Sequence, residues 1–434
     1  MSLREVALRA RRAGQALAQT SPDERAALLR DIAKVLLEPA ATARIAAANA
    51  TDVADVHSAR ERGELAPALV ARIPLDAEKL AALAEGLQQL SEQTSLMGRT
   101  TLHRELDRGL VLRQVTAPFG LLGAVFEARP DAVVQITGLA LCSGNAVLLK
   151  GGREARHTNR VLVEVLCEAI ERRGLPAGIV THLEDRAEVD AMLELDGVVD
   201  LIIARGSNRF VSSIMGRSRI PVLGHAEGLC HLYLHHSADP AMAARLAVDA
   251  KCTYPAACNS IETLLWDVGA EAALDASIAA LLEAGVELRG CDASRARHPF
   301  MQPATEDDWH TEYGALVLAV RQVTGIDAAL AHIEQFGSKH TEANVASDSS
   351  AAARFTASVD AAGVFHNAST RFADGFRYGL GAEVGVSTAK LHARGPVGVA
   401  GLLTYRWLLE GEGHVTSEYG VGKRTFTHRD LPTE

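Results

Sequence analysis

The chain has 434 residues, 48% of them hydrophobic and 23% charged, and a formal net charge of −10. That length exceeds what one simple core organises, and the composition is that of an ordinary globular protein, which excludes wholesale disorder. The acidic balance argues against a nucleic-acid surface, which needs a basic stripe, and no apolar run approaches the roughly 20 residues that span a bilayer.

The first hundred residues read as helices. Residues 1–18 are rich in Arg and Ala with a single acid, Glu5, a texture shared with organelle transit peptides. Helical periodicity continues over 23–37 behind the start signal Ser21-Pro22-Asp23, so an opening amphipathic helix is the expectation. Ala- and Leu-rich stretches at 40–55 and 76–93 extend the helical region. Strand patterns at 110–115 and 121–126 then flank Pro118-Phe119-Gly120.

From there helix and strand signals alternate. Helices are expected at 132–142, 158–173 and 187–195, with strands at 146–150, 178–183 and 198–204, and a further helix opening at Gly206-Ser207-Asn208. The pattern resumes with helices at 240–251, 270–284 and 324–336 and strands at 260–266, 286–289 and 343–346. Such alternation marks parallel sheets covered on both faces, so two α/β units are expected with a break near 234–240. Residues 367–401 are crowded with Gly, Ser, Thr, Arg and Asp and show little period, the texture of a functional loop.

The six cysteines, at 142, 167, 230, 252, 258 and 291, are scattered, with no secretory signal, and reduced thiols in a cytoplasm are the economical reading. Cys258 stands out. It follows a Pro255-Ala256-Ala257 turn and precedes Asn259 and a strand, so it sits at an element end where a thiol can face a cleft. A nucleophile fits that place, and so does a small buried hydrophobe; local chemistry leaves both open. No Cys-x2-Cys spacing is present to support a metal site, and none is expected.

The common G-x-G-x-x-G fingerprint is missing. Lys150-Gly151-Gly152 ends a strand, and Gly206-Ser207 opens a helix, where backbone N–H groups can meet a pyrophosphate; ordinary strand-to-helix turns would look the same. The dense Ser, Thr and Arg of 367–377 and 390–396 suit a carboxylate or phosphate ligand, or a solvated surface loop.

Six runs occur in a telling order: Phe119-Gly-Leu-Leu-Gly-Ala-Val-Phe-Glu-Ala-Arg-Pro130, Gly144-Asn-Ala-Val-Leu-Leu-Lys-Gly-Gly152, His225-Ala-Glu-Gly-Leu-Cys-His231, Cys258-Asn-Ser-Ile-Glu-Thr-Leu-Leu265, Thr311-Glu-Tyr313, and Asn367-Ala-Ser-Thr-Arg-Phe-Ala-Asp-Gly-Phe376 through Gly398. Together they resemble the γ-glutamyl phosphate reductases (glutamate-5-semialdehyde dehydrogenases), a branch of the aldehyde dehydrogenase superfamily. The form Lys251-Cys-Thr-Tyr-Pro-Ala-Ala-Cys258-Asn259 is similar to the reductase half of pyrroline-5-carboxylate synthases.

The resemblance implies an aldehyde dehydrogenase-like α/β fold. A nucleotide-binding domain would comprise 1–101 and 118–236 with part of 378–401. A catalytic domain would span 237–377, and 102–117 with 402–434 would form an oligomerisation element and tail. It implies NADPH, L-glutamyl 5-phosphate and a cysteine thioester at Cys258, with Asn259 beside it and Arg129, or another residue of 127–130, as a second oxyanion donor. It further implies Lys150, Gly152, Gly206, Ser207 and Glu312 on the cofactor, and Ser369, Thr370, Arg371, His392 and Arg394 on the substrate. His225 stands near the place where hydrolytic relatives keep a glutamate base, which would protect the thioester from water. A separate glutamate 5-kinase, a homodimer or homotetramer, and a cytoplasmic location complete the expectation. The rival readings are an oxidative or CoA-acylating semialdehyde dehydrogenase and a non-catalytic scaffold of the same fold.

Overall fold

The structure, a computed structural model, describes residues 2–65, 67–224 and 227–433. The chain divides into two units, Met1–Leu223 with Leu380–Val384 and Val397–Glu434, and Gly224–Gly379 with Gly385–Pro396.

The first unit opens with helices α1 (Leu3–Leu17), α2 (Pro22–Leu36), α3 (Pro39–Glu61), α4 (Pro67–Val70) and α5 (Ala77–Ser91). Their starts are written locally. Ser2 with Glu5 and Ser21 with Glu24 form reciprocal capping boxes, and Pro22 and Pro39 occupy first-turn positions whose N–H needs no helical partner. An antiparallel hairpin follows, β1 (Thr100–Asp107) and β2 (Leu110–Pro118). The late strand Leu403–Glu410 pairs along β2, and Arg429–Asp430 pairs with β1.

The rest of the unit alternates: β3 (Leu121–Phe126), α6 (Asp131–Cys142), β4 (Ala146–Gly151), α7 (Arg156–Arg172), β5 (Val180–His182), α8 (Arg186–Leu193), β6 (Leu201–Arg205), α9 (Asn208–Arg217) and β7 (Val222–Leu223). The strands form a parallel sheet in the order β5-β4-β3-β6-β7. Every residue of β3 and β4 is buried, which is why both read as unbroken apolar runs rather than alternating ones. The chain winds outward from β3 to β5, then returns to β6 on the other side. That reversal opens a crevice at the carboxyl ends of β3 and β6, the usual ligand position in such sheets.

The second unit contains β8 (Cys230–Leu234), α10 (Pro240–Cys252), β9 (Ile261–Asp267), α11 (Glu271–Glu283), β10 (Glu287–Gly290), α12 (Asp292–Arg297), β11 (Gln302–Pro303), β12 (Val317–Val323), α13 (Gly325–Phe336), β13 (Thr341–Val345), α14 (Ser349–Ser358) and β14 (Gly363–His366). All seven strands run parallel in the order β11-β10-β12-β9-β8-β13-β14. One face of the sheet buries Leu232, Leu264, Trp266 and Leu318 with Ala243, Ala247, Leu274 and Ile278 of α10 and α11.

Three expected boundaries move. The break at 236/237 falls one strand too late, because β8 pairs with β9 and β13 in the second sheet and the unit begins at Gly224. The hairpin and tail set apart as a separate element cluster with the first unit. Within 378–401, only Leu380–Val384 and the residues from Val397 join the first unit; Gly385–Pro396 stays with the second. No helix among the described residues is long and apolar enough to cross a membrane.

Candidate active site

In the first unit, Glu127, Gly152, Gly206 and Ser207 follow directly on the carboxyl ends of β3, β4 and β6. Ser207 caps α9, and both its backbone N–H and its Oγ donate to Glu127 Oε2, at 2.8 and 2.9 Å. A Cβ at Gly206 would stand 2.5 Å from that same oxygen, so a side chain there would displace the Glu127 carboxylate. Ala128, held at φ 44°, donates its N–H to Glu154 Oε1. Lys150 is buried at the end of β4 and turns its Nζ onto the Gly151 carbonyl at 2.7 Å; burial holds its ammonium below the usual lysine range. Gly152 lies against the Glu154 carboxylate.

Four sequence-predicted cofactor residues, Lys150, Gly152, Gly206 and Ser207, thus share one sheet edge. Its donors, a helix start and an ammonium, suit an anionic nucleotide, and two carboxylates, Glu127 and Glu154, hold positions beside those donors. Arg129, on the same edge, is half-buried, and its guanidinium is not bonded to any described residue. Glu312, the fifth expected cofactor residue, belongs to the second unit, on the loop before β12.

In the second unit, Cys258 lies on a turn between α10 and β9 and is half-buried. Backbone bonds from Ala257 to Tyr254 (3.1 Å) and from Ser260 to Ala257 (2.9 Å) shape the turn. The Cys230 thiol reaches the Cys258 carbonyl at 3.3 Å, and Gly228 packs so closely that a Cβ there would stand 2.2 Å from that oxygen. Asn259 is buried. Its Nδ2 donates to the Ala373 carbonyl at 2.9 Å, and its own carbonyl accepts from Thr370 Oγ1 at 2.6 Å. The thiol turn is therefore stapled to the run 369–373.

That staple redistributes the expected substrate residues. Ser369 and Thr370 are buried; the Ser369 Oγ accepts from the Arg371 N–H at 3.3 Å, and the Thr370 hydroxyl bonds Asn259. Both hydroxyls hold the loop. Arg371 differs: its guanidinium is half-buried, lies 6.0 Å from the Tyr254 ring centre, and has no ion pair among the described residues. Burial lowers its tendency to hold its proton, as does Arg377, while Asp374 and Cys258 oppose the shift. Cys258 is thus within electrostatic reach of Arg371.

Arg394, also expected on the substrate, is engaged elsewhere. It pairs with Asp360 at 2.7 Å, and Lys390 pairs with the other oxygen of that carboxylate at 2.7 Å. The two cations hold Asp360 well below the ordinary carboxylate range. His392 is exposed on the same irregular segment. His225 lies outside the described residues.

Two buried pairs of titratable groups stand out in the second unit, and the sequence alone did not show either pairing. Lys251 Nζ meets Glu262 Oε2 at 2.6 Å with both side chains enclosed. His231 gives its backbone N–H to Glu342 Oε2 at 2.8 Å, and its Nδ1 lies 2.9 Å from the same oxygen. The available signal was a glutamate inside an otherwise apolar strand, at Ile261-Glu262-Thr263-Leu264 and again at Thr341-Glu342-Ala343. His235, His236 and Asp267 also converge, but Asp267 already accepts from Tyr233 and from the Gly325 N–H at the start of α13.

Comparison with known proteins places this geometry. The aldehyde dehydrogenase family model matches residues 2–284. A γ-glutamyl phosphate reductase of Prochlorococcus marinus (strain MIT 9313) is 51% identical over 431 residues, 99% of this chain and 97% of the relative. One of Synechococcus sp. (strain JA-3-3Ab) is 54% identical over 391 residues, 89% of this chain and 86% of the relative. The crystal structure of γ-glutamyl phosphate reductase from Thermotoga maritima superposes with a TM-score of 0.90 at 36% identity, covering 96% of this chain and all of that one.

Proposed function

The chain belongs to the γ-glutamyl phosphate reductases, oxidoreductases of the aldehyde dehydrogenase family, and on that premise we propose that it reduces L-glutamyl 5-phosphate to L-glutamate 5-semialdehyde and phosphate, with NADPH as reductant, in proline biosynthesis. Cys258 takes up the acyl group. Its thiolate attacks the γ-carbonyl carbon, the bond from that carbon to the phosphate oxygen breaks, and a thioester remains on the chain. The charge that builds on the carbonyl oxygen falls to the Cys258 backbone N–H, which has no bond to another described residue, with Arg129 assigned as the second donor.

The observation that carries this reading is Arg371. A half-buried guanidinium with no ion pair among the described residues, within electrostatic reach of the thiol, suits an anion, and arginine binds carboxylate and phosphate bidentately. Ser369, Thr370 and Asn259 keep it in register with Cys258. We assign Lys150, Gly152, Gly206 and Ser207 to the nucleotide and Glu312 to the nicotinamide ribose. NADPH, when bound, supplies the hydride that reduces the thioester carbonyl. The resulting hemithioacetal on Cys258 then collapses, its C–S bond breaks, and the thiolate is regenerated as the aldehyde leaves. With His225 in the place assigned to the base of hydrolytic relatives, water is not activated and the thioester survives to be reduced.

The substrate comes from a separate glutamate 5-kinase, and the compartment is the cytoplasm. The chain works as a homodimer or homotetramer through the strand Leu403–Glu410, whose Tyr405, Trp407 and Leu409 are exposed. The direct test runs the reaction backwards: glutamate semialdehyde with NADP⁺ should yield reduced nicotinamide absorbance only when inorganic phosphate is present. Equal rates with water or CoA as acyl acceptor would contradict the reading.

A further inference from the structure

The turn that carries Cys258 is closed at its base by a buried ion pair. Lys251 sits in the last turn of α10 and Glu262 is the second residue of β9, so the 2.6 Å contact brackets the whole segment between them. Neither side chain reaches solvent. Burial pushes the Glu262 carboxyl up to about 7 and the Lys251 ammonium below its usual range, so the pair is retained against the cost of removing both charges from water. Two apolar side chains of the same volume would fill this space without that cost.

What an apolar pair would not supply is direction. Glu262 uses its second oxygen, Oε1, to accept the Gly314 N–H at 3.3 Å. Gly314, at φ 59°, turns the run Thr311-Glu312-Tyr313 into β12. The Tyr313 ring lies 5.9 Å from Lys251 Nζ, and its hydroxyl is fixed by Asp308 at 2.7 Å. One carboxylate therefore ties the base of the thiol turn to the loop that presents Glu312, and it does so across two neighbouring strands, β9 and β12.

We propose that Glu262 is a positioning residue: held by Lys251, its carboxylate sets the Glu312 loop relative to the Cys258 turn, and so governs the hydride-transfer step rather than the reactivity of the thiol. This rests on the roles given above to Cys258 and Glu312.

The test uses the full chain in the oxidative direction, with glutamate semialdehyde, NADP⁺ and phosphate. The pre-steady-state rise of NADPH reports hydride transfer, and the rate of alkylation by iodoacetamide reports the thiol. The double variant Lys251→Met/Glu262→Met removes both charges at similar volume. It should slow the NADPH rise at least tenfold and raise KM for NADP⁺, while alkylation of Cys258 stays within twofold. Lys251→Met/Glu262→Gln, which keeps an acceptor for the Gly314 N–H, should recover a large part of the lost rate, and it carries the test if the first variant fails to fold. A folded Met/Met variant with a native NADPH rise would overturn the proposal, as would a parallel loss of alkylation or a Met/Gln variant no better than Met/Met. A native chain with no phosphate-dependent rise at all would instead overturn the function on which the proposal rests.

Discussion

The two units treat charge in opposite ways. At the sheet edge of the first, the groups suited to a nucleotide are engaged by one another: Ser207 by Glu127, Ala128 by Glu154, and Lys150 by its own neighbouring carbonyl. In the second, buried titratable groups are paired, Lys251 with Glu262 and His231 with Glu342, while the half-buried Arg371 near the thiol has no ion pair among the described residues. A nucleotide edge needs only backbone donors and a helix start, which carboxylates of the chain can satisfy. A site that must hold an anion next to a nucleophile needs a charge reserved for it.

The largest effect expected from breaking that contrast is at Arg371. Arg371→Met should lower kcat/KM for the acyl substrate about a hundredfold, the loss of a charge-assisted contact worth roughly 3 kcal/mol, with the melting temperature little changed. A change below threefold would remove Arg371 from the substrate.

The next concerns a buried base. His332 Nδ1 lies 3.0 Å from Arg321 Nη1, an arrangement that needs a neutral ring, and burial pushes its pKa down to about 2. The unfolded chain binds this proton below about pH 6.5 and the folded chain does not, so stability falls as pH drops beneath that value. Between pH 7.5 and 5 the loss should be about 2 kcal/mol in urea unfolding. His332→Phe should remove that increment; an unchanged slope would assign the acid sensitivity elsewhere.

The smallest effect expected is in the first unit. Glu127→Gln weakens the hold on Ser207, so a nucleotide that must share that helix start should bind about threefold tighter in a titration with NADP⁺. Weaker binding would mean that Glu127 helps to hold the ligand.

The legibility of the two units in the sequence differs for a related reason. The parallel architecture was readable from the alternation through 118–223, and so were the glycines that end its strands. The position of Cys258 on a turn before a strand was readable, but its local sequence left nucleophile and core residue both open, and its surroundings were not readable. β8 was missed because a central parallel strand containing His231 lacks a clean apolar pattern, and the partner that satisfies the histidine, Glu342, is more than a hundred residues away. Ser369 and Thr370 look like ligand groups in a polar loop, yet their hydroxyls point inward; Arg394 looks free and is held by Asp360. Composition marks a polar loop, but only packing says which of its side chains remain available.

The proposed chemistry rests on one thiol, Cys258. Incubating the chain with L-glutamyl 5-phosphate generated in place, without reductant, and digesting it for mass spectrometry should reveal a glutamyl adduct on the peptide carrying Cys258, released on adding NADPH and absent in Cys258→Ala. An adduct on Cys252 alone, or turnover that persists in Cys258→Ala, would contradict it.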